Sequence, residues 1–399
     1  MKIISGDSAA NPWSILPGWA LCAGLLFSLI SISLAEAFLF LAVVFWAAWL
    51  IKDKVKFSAP AFFIPLLVYA GLSLVSSAFS VNPEISFKDC RELALYLIVP
   101  LTFMSLRSPE DIRRANLVVF ASAAASLVYS FYRFAAVAPS GERIKGFMGH
   151  YMTQAGLLVM FASLALAVFV FGRTKSRFLW GAAAVAAGAA LEMTLTRSAW
   201  IGLAAAVCVL VFIRNPKLLI AVPVAIALVF FASPAPVKQR ALSIFKLQGF
   251  SNRTRVEYIR AGVKIIGDYP LTGTGPDTVD MVFQNPKYGL SEDAKRNVHL
   301  HNTVIQIAAE RGIPALATWL VFVVWIFLGL AKLVRERDPE ILPLAAGALA
   351  ALTAFIVSGF FEYNFGDSEV AILFFYLVTM PFAAARARRA EARSGGQDR

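Results

Sequence analysis

The chain has 399 residues, 59% of them hydrophobic and only 16% charged, with a mean hydropathy of +0.69. A soluble domain carries about 25% charged residues, so this composition excludes a soluble globular protein and indicates a polytopic membrane protein. The net charge of +12 is not a nucleic-acid signature, because the basic residues fall in short clusters between apolar runs, which is how membrane topology is encoded.

Residues 1–12 read as a cytoplasmic tail, 13–385 as a transmembrane domain and 386–399 as a second, basic cytoplasmic tail. Apolar runs recur at 13–34, 36–51, 59–79, 93–106, 112–134, 151–172, 178–194, 198–213, 217–232, 313–334, 340–360 and 369–385. They predict an all-α membrane protein of about twelve spans, several shorter than the ~20 residues that cross untilted. The first run is followed at once by another and reads as a retained anchor. Cys22, Cys90 and Cys208 have no spacing that suggests a disulfide or metal site.

Orientation follows from the loops. Lys52, Lys54 and Lys56 share one loop, and Arg107, Arg113 and Arg114 share another. Arg173, Lys175 and Arg177 follow, then Arg214 and Lys217, then Lys332, Arg335 and Arg337, and finally Arg386, Arg388, Arg389 and Arg393. These are alternate loops, so the positive-inside rule predicts that they and both termini face the cytoplasm. The intervening loops carry Glu36, Glu84, Asp89, Glu362, Asp367 and Glu369, and the long loop 233–300 falls on their side.

That loop is too long for a plain linker. Thr254-Arg255-Val256-Glu257 is a capping-box pattern, and Val256, Ile259, Val263 and Ile266 follow at helical spacing. Arg255, Glu257, Arg260 and Lys264 occupy other faces, and Gly267 ends the segment. This predicts an amphipathic helix at the membrane surface. Residues 268–277 are turn chemistry, and a second short helix is expected over 278–284.

Four groups of residues could carry chemistry. Arg197 stands between two apolar runs with almost no loop, and an ionisable residue at that depth is a functional candidate against the plainer reading of a snorkelling side chain. Arg255 opens the predicted helix, so its guanidinium and free backbone amides could serve a phosphate together, and for Arg255 and Arg253 alike a lipid-headgroup contact is the plainer reading. Arg133, Arg143, Lys145 and His150 line an outward loop with Gly141, Gly146 and Gly149, which could hold an anionic group or simply be solvated. The stretch 297–315 holds two of the three histidines, His299 and His301. A helix starting near His301 puts it in the first turn, where the helix dipole disfavours imidazolium and leaves a proton acceptor, or else a capping side chain. Gly312 is then a C-cap. A metal pair of His299 and His301 with Asp277 or Asp280 lacks a third ligand at convincing spacing.

His301-Asn302, nine residues, then Gly312 resembles the His-Asn-x9-Gly-x-x-Gly signature of bacterial O-antigen ligases, with Ala315 at the last glycine. Arg197-Ser198-Ala199-Trp200-Ile201 is similar to that family's Arg-x3-Leu motif, with isoleucine for leucine. The segment 359–369 also resembles the one before the family's last span. The resemblance implies a GT-C-like glycosyltransferase of the inner membrane, its site facing the periplasm. The donor is then a glycan on undecaprenyl diphosphate and the acceptor a sugar hydroxyl of lipid A–core in lipopolysaccharide biosynthesis. It implies His301 as catalytic base and Arg197 and Arg255 as ligands of the donor diphosphate, with no metal or cofactor. Arg253, His299, Arg260, Arg143 and Asn302 are secondary candidates. A polymerase of the same superfamily and a protein O-oligosaccharyltransferase share these motifs. A lipid-glycan flippase would instead place its charges along a path within the spans.

Overall fold

The computed structural model describes residues 12–137, 142–245 and 250–394. All regular structure among them is helical, as the composition predicts. Helix α1 (Pro12–Phe27) and α2 (Ile32–Lys52) form a hairpin, followed by α3 (Phe63–Ala78) and the short α4 (Pro83–Asp89). A 3-10 stretch, Cys90–Leu97, leads into α5 (Ile98–Ser105). Then come α6 (Pro109–Val137), α7 (Tyr151–Phe171), α8 (Arg177–Met193), α9 (Arg197–Arg214) and α10 (Val222–Ala232). The long loop contains α11 (Ala235–Leu242), α12 (Phe250–Asp268) and α13 (Val279–Phe283). The chain closes with α14 (Thr303–Glu336), α15 (Leu342–Gly359) and α16 (Ser368–Ser394).

Each predicted apolar run falls largely on helix, but among the described residues length and composition qualify seven helices as spans rather than twelve: α2, α6, α7, α9, α14, α15 and α16. The first run breaks earlier than predicted. The helix stops at Phe27, and the Leu29 amide donates to the Ser122 hydroxyl of α6 at 3.2 Å. The run 93–106 begins as 3-10 helix, and 178–194 is the 17-residue α8. The predicted tail 1–12 lies outside the described residues save Pro12, and 386–394 continues α16 as helix.

Helices α7, α15 and α16 are buried along most of their length and form the centre. Close approach there depends on small residues. A Cβ on Gly347 of α15 would lie 3.1 Å from the Leu164 backbone of α7, and one on Gly202 of α9 would lie 2.8 Å from the Ala354 carbonyl of α15. Without a solvent-driven hydrophobic force between spans, this kind of interdigitation holds helices together.

The loop 250–300 is a folded cap with its own core. Tyr258, Ala261 and Ile265 of α12 pack on Val279, Phe283, Leu290 and Leu300. Two expectations change here. The helix begins at Phe250, so Thr254 is interior rather than a cap, and Glu257 instead accepts from Ser291 at 2.6 Å. Of the predicted apolar stripe, Ile266 packs against this core, but Val256, Ile259 and Val263 are not on the packed face and stay exposed beside the cap.

The helix predicted after His301 does stop at Gly312, but a second helix follows at once in place of the chain leaving the element. Gly312 itself has φ 82° and ψ 168° inside α14. The Pro270–Gly275 turn fills the break. The Thr274 amide donates to the Ala309 carbonyl and the Gly275 amide to the Glu310 carbonyl, both at 2.9 Å, and the Ile313 amide donates to the Pro270 carbonyl at 2.8 Å. The last-turn carbonyls that a helix end leaves open are thus used. A Cβ on Gly312 would lie 2.1 Å from the Leu271 carbonyl oxygen.

Two outcomes are expected. Gly312→Ala should cost roughly 1–3 kcal/mol through strain and overpacking. Thermal unfolding in detergent checks this against Gly188→Ala, whose Cβ meets nothing within 4 Å and should leave the melting temperature unchanged. Cysteines placed at Lys54 and Lys287 should label from opposite sides of the membrane in cells; labelling from one side overturns the orientation.

Candidate functional site

Asn302 is the N-cap of α14, its side-chain oxygen accepting from the Ile305 amide at 3.0 Å. His301 therefore sits one residue outside the helix rather than in its first turn, with φ 49°. A non-glycine residue at positive φ is strained and is held by its surroundings. The surroundings here are the 360–363 loop. Asn302 donates its amide to the Phe360 carbonyl at 3.0 Å, and the Thr303 hydroxyl donates to the Glu362 carbonyl at 2.9 Å. These bonds bring His301 Nδ1 to 2.9 Å from Glu362 Oε1.

Burial alone would push the Glu362 carboxyl up. The bond and charge of His301, the Tyr363 amide and nearby Arg255 together hold it below its ordinary value. Glu362 is therefore an ionised acceptor. It draws the proton of a neutral His301 ring to Nδ1 and leaves Nε2 as the open acceptor. The ring stands 5.5 Å from that of buried Tyr258, and 19% of its side chain reaches solvent. Glu362 belonged to an outward acidic cluster in the sequence, but nothing there paired it with a histidine 61 residues away.

Arginines gather beside this pair. The α8–α9 turn is tight, with Leu195 at φ 52°, and its carbonyls face one side. Arg143 donates to the Thr194 and Leu195 carbonyls at 2.8 and 3.0 Å and lies 3.4 Å above the Tyr151 ring. Arg240 donates to the same Leu195 carbonyl at 3.2 Å. Arg197 is buried at the start of α9 and donates to the Ser243 carbonyl at 2.9 Å and to Asn252 at 2.8 Å. Arg255 donates to the Phe361 carbonyl at 3.2 Å, next to Glu362. Arg240 and Arg255 lie close enough to Arg197 to repel its charge. Burial first, then the neighbouring arginines, holds Arg143 down to about 10, while Tyr151 and Glu362 oppose that shift. Arg255 is likewise lowered first by burial, with Glu362 opposing. Crowded, half-desolvated guanidiniums of this kind favour a polyvalent anion in their midst.

The structure thus joins His301, Arg197, Arg255 and Arg143 of the predicted residues, and adds Arg240 and Glu362. Arg255 lies in the second turn of α12, so its backbone amide is not a free N-terminal donor as expected. Arg253 and Arg260 do not join. At 100° per residue they point about 160° and 140° away from Arg255. Arg253 is exposed and pairs with Glu257 at 3.3 Å, and Arg260 is exposed. Arg133 and Lys145 are exposed as well. Among the described residues no cluster of three or more metal-ligating side chains occurs, and His299 packs edge-on to Tyr363 at 5.3 Å instead of pairing with His301.

A buried ionic network pins the loop from beneath. Arg311 reaches Asp89 at 2.8 Å, Glu310 at 3.0 Å and the Tyr363 hydroxyl at 3.1 Å. It ties the α14 break to the end of α4 and to the residue following Glu362. Nothing in the sequence separates Arg311 from an ordinary helix-end cation.

No curated protein matches the chain. Residues 182–320 match the family model described as O-antigen ligase. The matched stretch runs from α8 into α14 and contains Arg197, Arg240, Arg255 and His301, while Arg143 and Glu362 of the same site lie outside it. Across that stretch, about a third of the chain, the protein is similar to the O-antigen ligases.

Proposed function

We propose that the chain transfers a glycan from undecaprenyl diphosphate to a sugar hydroxyl of lipid A–core at the periplasmic face of the inner membrane. The observation that carries this reading is the His301–Glu362 pair standing beside four arginines. A glycosyl diphosphate has a good leaving group, so departure needs neutralisation of developing charge more than it needs an acid. Arg197 and Arg255 bind the diphosphate, with Arg143 and Arg240 beside them. His301 Nε2 takes the proton from the acceptor hydroxyl. The acceptor oxygen bonds to the anomeric carbon while the bond from that carbon to the diphosphate oxygen breaks. The lipid diphosphate leaves with the electron pair, and one displacement inverts the centre. Glu362 orients the ring and stabilises the imidazolium that forms. The step as written draws on side chains alone. Helices α8 to α14 form the core of a GT-C-like transferase in this reading, and the 233–300 cap lies over the projecting glycan.

Lipopolysaccharide gels of a strain lacking the gene test this. Loss of long-chain bands with lipid-linked polymer retained supports ligation. A core bearing a single repeat means polymerisation by the same chemistry, and an unchanged pattern overturns both.

Variants returned to that strain test the roles. His301→Ala should lower transfer by ~10²–10⁴-fold while donor binding persists, and Glu362→Gln should fall in the same direction because tautomer control is lost. His299→Ala should be far milder. Arg197→Lys should be inactive at normal expression, because an ammonium cannot fork across phosphate oxygens. Wild-type transfer by Arg197→Lys, or equal loss of donor binding in both histidine variants, would contradict these assignments.

A further inference from the structure

A cavity of about 480 Å³ opens at the other end of the helices that build the site. Helices α7 and α9 begin at the site and end at the cavity, spanning about 32 and 27 Å at 1.5 Å per residue, close to the thickness of a bilayer's hydrocarbon core. α14 runs the same way, and α15 returns from the cavity to the 360–363 loop. Positive-inside charge assigns this end to the cytoplasm.

Five cations line the cavity: Arg173, Lys175, Arg177, Arg214 and Arg337. No carboxylate lines it, and among the described residues none of the five has a salt-bridge partner. Arg177 and Arg337 donate to the carbonyls of Gly172 and Ile213, each at 3.3 Å, which fixes their guanidiniums at the rim. Arg337 keeps a left-handed backbone, φ 55°, that a non-glycine residue adopts at a cost. Phe178 also lines the cavity and is 60% exposed. Topology needs positive charge on this face but needs no concavity, and like charges that share a concave wall repel unless an anion lies between them.

We propose that this cavity binds the phosphate headgroup of an anionic membrane phospholipid. Its chemistry suits any phosphate-bearing anion. The exposed phenyl ring at its wall and its place at the end of the spans favour a lipid, whose acyl chains run along the apolar helix faces while the headgroup meets the cations. The site is separate from the arginines around His301 and holds whichever transfer reaction those catalyse.

The test uses the full chain in neutral detergent, followed by thermal unfolding. Dioleoylphosphatidylglycerol should raise the melting temperature saturably, and dioleoylphosphatidylcholine should not. The triple variant Arg173→Gln, Lys175→Gln, Arg214→Gln should unfold like wild type without lipid. It should need roughly a hundredfold more phosphatidylglycerol, from about fivefold per cation. Lys54→Gln, Lys56→Gln, Lys332→Gln removes equal charge elsewhere on the same face and should respond like wild type. Equal weakening in both triples, or no response of the wild type, overturns the proposal. Saturation by inorganic pyrophosphate with no effect of phosphatidylglycerol also overturns it, and assigns the cavity to a soluble anion.

Discussion

A helix that stops inside a membrane protein leaves carbonyls that neither water nor lipid can satisfy, and each such buried group costs about 1–3 kcal/mol. The break in α14 at Gly312 creates this situation, and the Pro270–Gly275 turn resolves it. Amides of the turn meet the Ala309 and Glu310 carbonyls, the Ser76 hydroxyl of α3 donates to Glu310 at 2.9 Å, and the Ile313 amide returns a bond to Pro270. The repair joins the cap, α3 and the two parts of α14 into one unit. His301 stands at the far end of the short first part, so its place follows from this junction. Glycine is needed at Gly273 and Gly312, because a Cβ on either would come within 2.2 Å of backbone.

The second constraint is electrostatic. Arg311 is buried and paired through its terminal nitrogens with Asp89, Glu310 and Tyr363, so removing a carboxylate partner would strand charge in a medium that punishes it. This compensated network lies under the 360–363 loop. The arginines above it differ, since Arg143, Arg197, Arg240 and Arg255 spend their hydrogen bonds largely on carbonyl and amide oxygens. One network pairs its charges within the protein and serves stability. The other gathers positive charge beside the His301–Glu362 pair, where the proposed donor diphosphate would bind.

Packing of small residues connects the two. Gly202 lets α9 approach α15, and the Ser358 hydroxyl donates to the Ser198 carbonyl at 3.1 Å. The first turn of α9, with Arg197, is thereby registered against the end of α15, where the Glu362 loop starts. A one-turn slip would move Arg197 by about 5 Å, enough to separate it from the histidine pair.

Much of this was legible in the chain. Hydropathy located the apolar helices, and basic loops proposed an orientation, because both are local properties of residues a few positions apart. Arg197 stood out as charge at membrane depth, and His301 as part of a short motif. Other features were not legible, because they are contacts between segments distant in sequence. Glu362 and Arg240 reach the site across 61 and 45 residues from their partners His301 and Leu195. The periodicity of α12 marked an apolar stripe, yet tertiary packing buried Tyr258, Ala261 and Ile265 and left Val256, Ile259 and Val263 of that stripe exposed. Composition and periodicity alone thus determined that the chain is helical and membrane-bound. Only the folded arrangement decided which charges face one another, because Coulomb and hydrogen-bond terms depend on distances in space that sequence separation does not set.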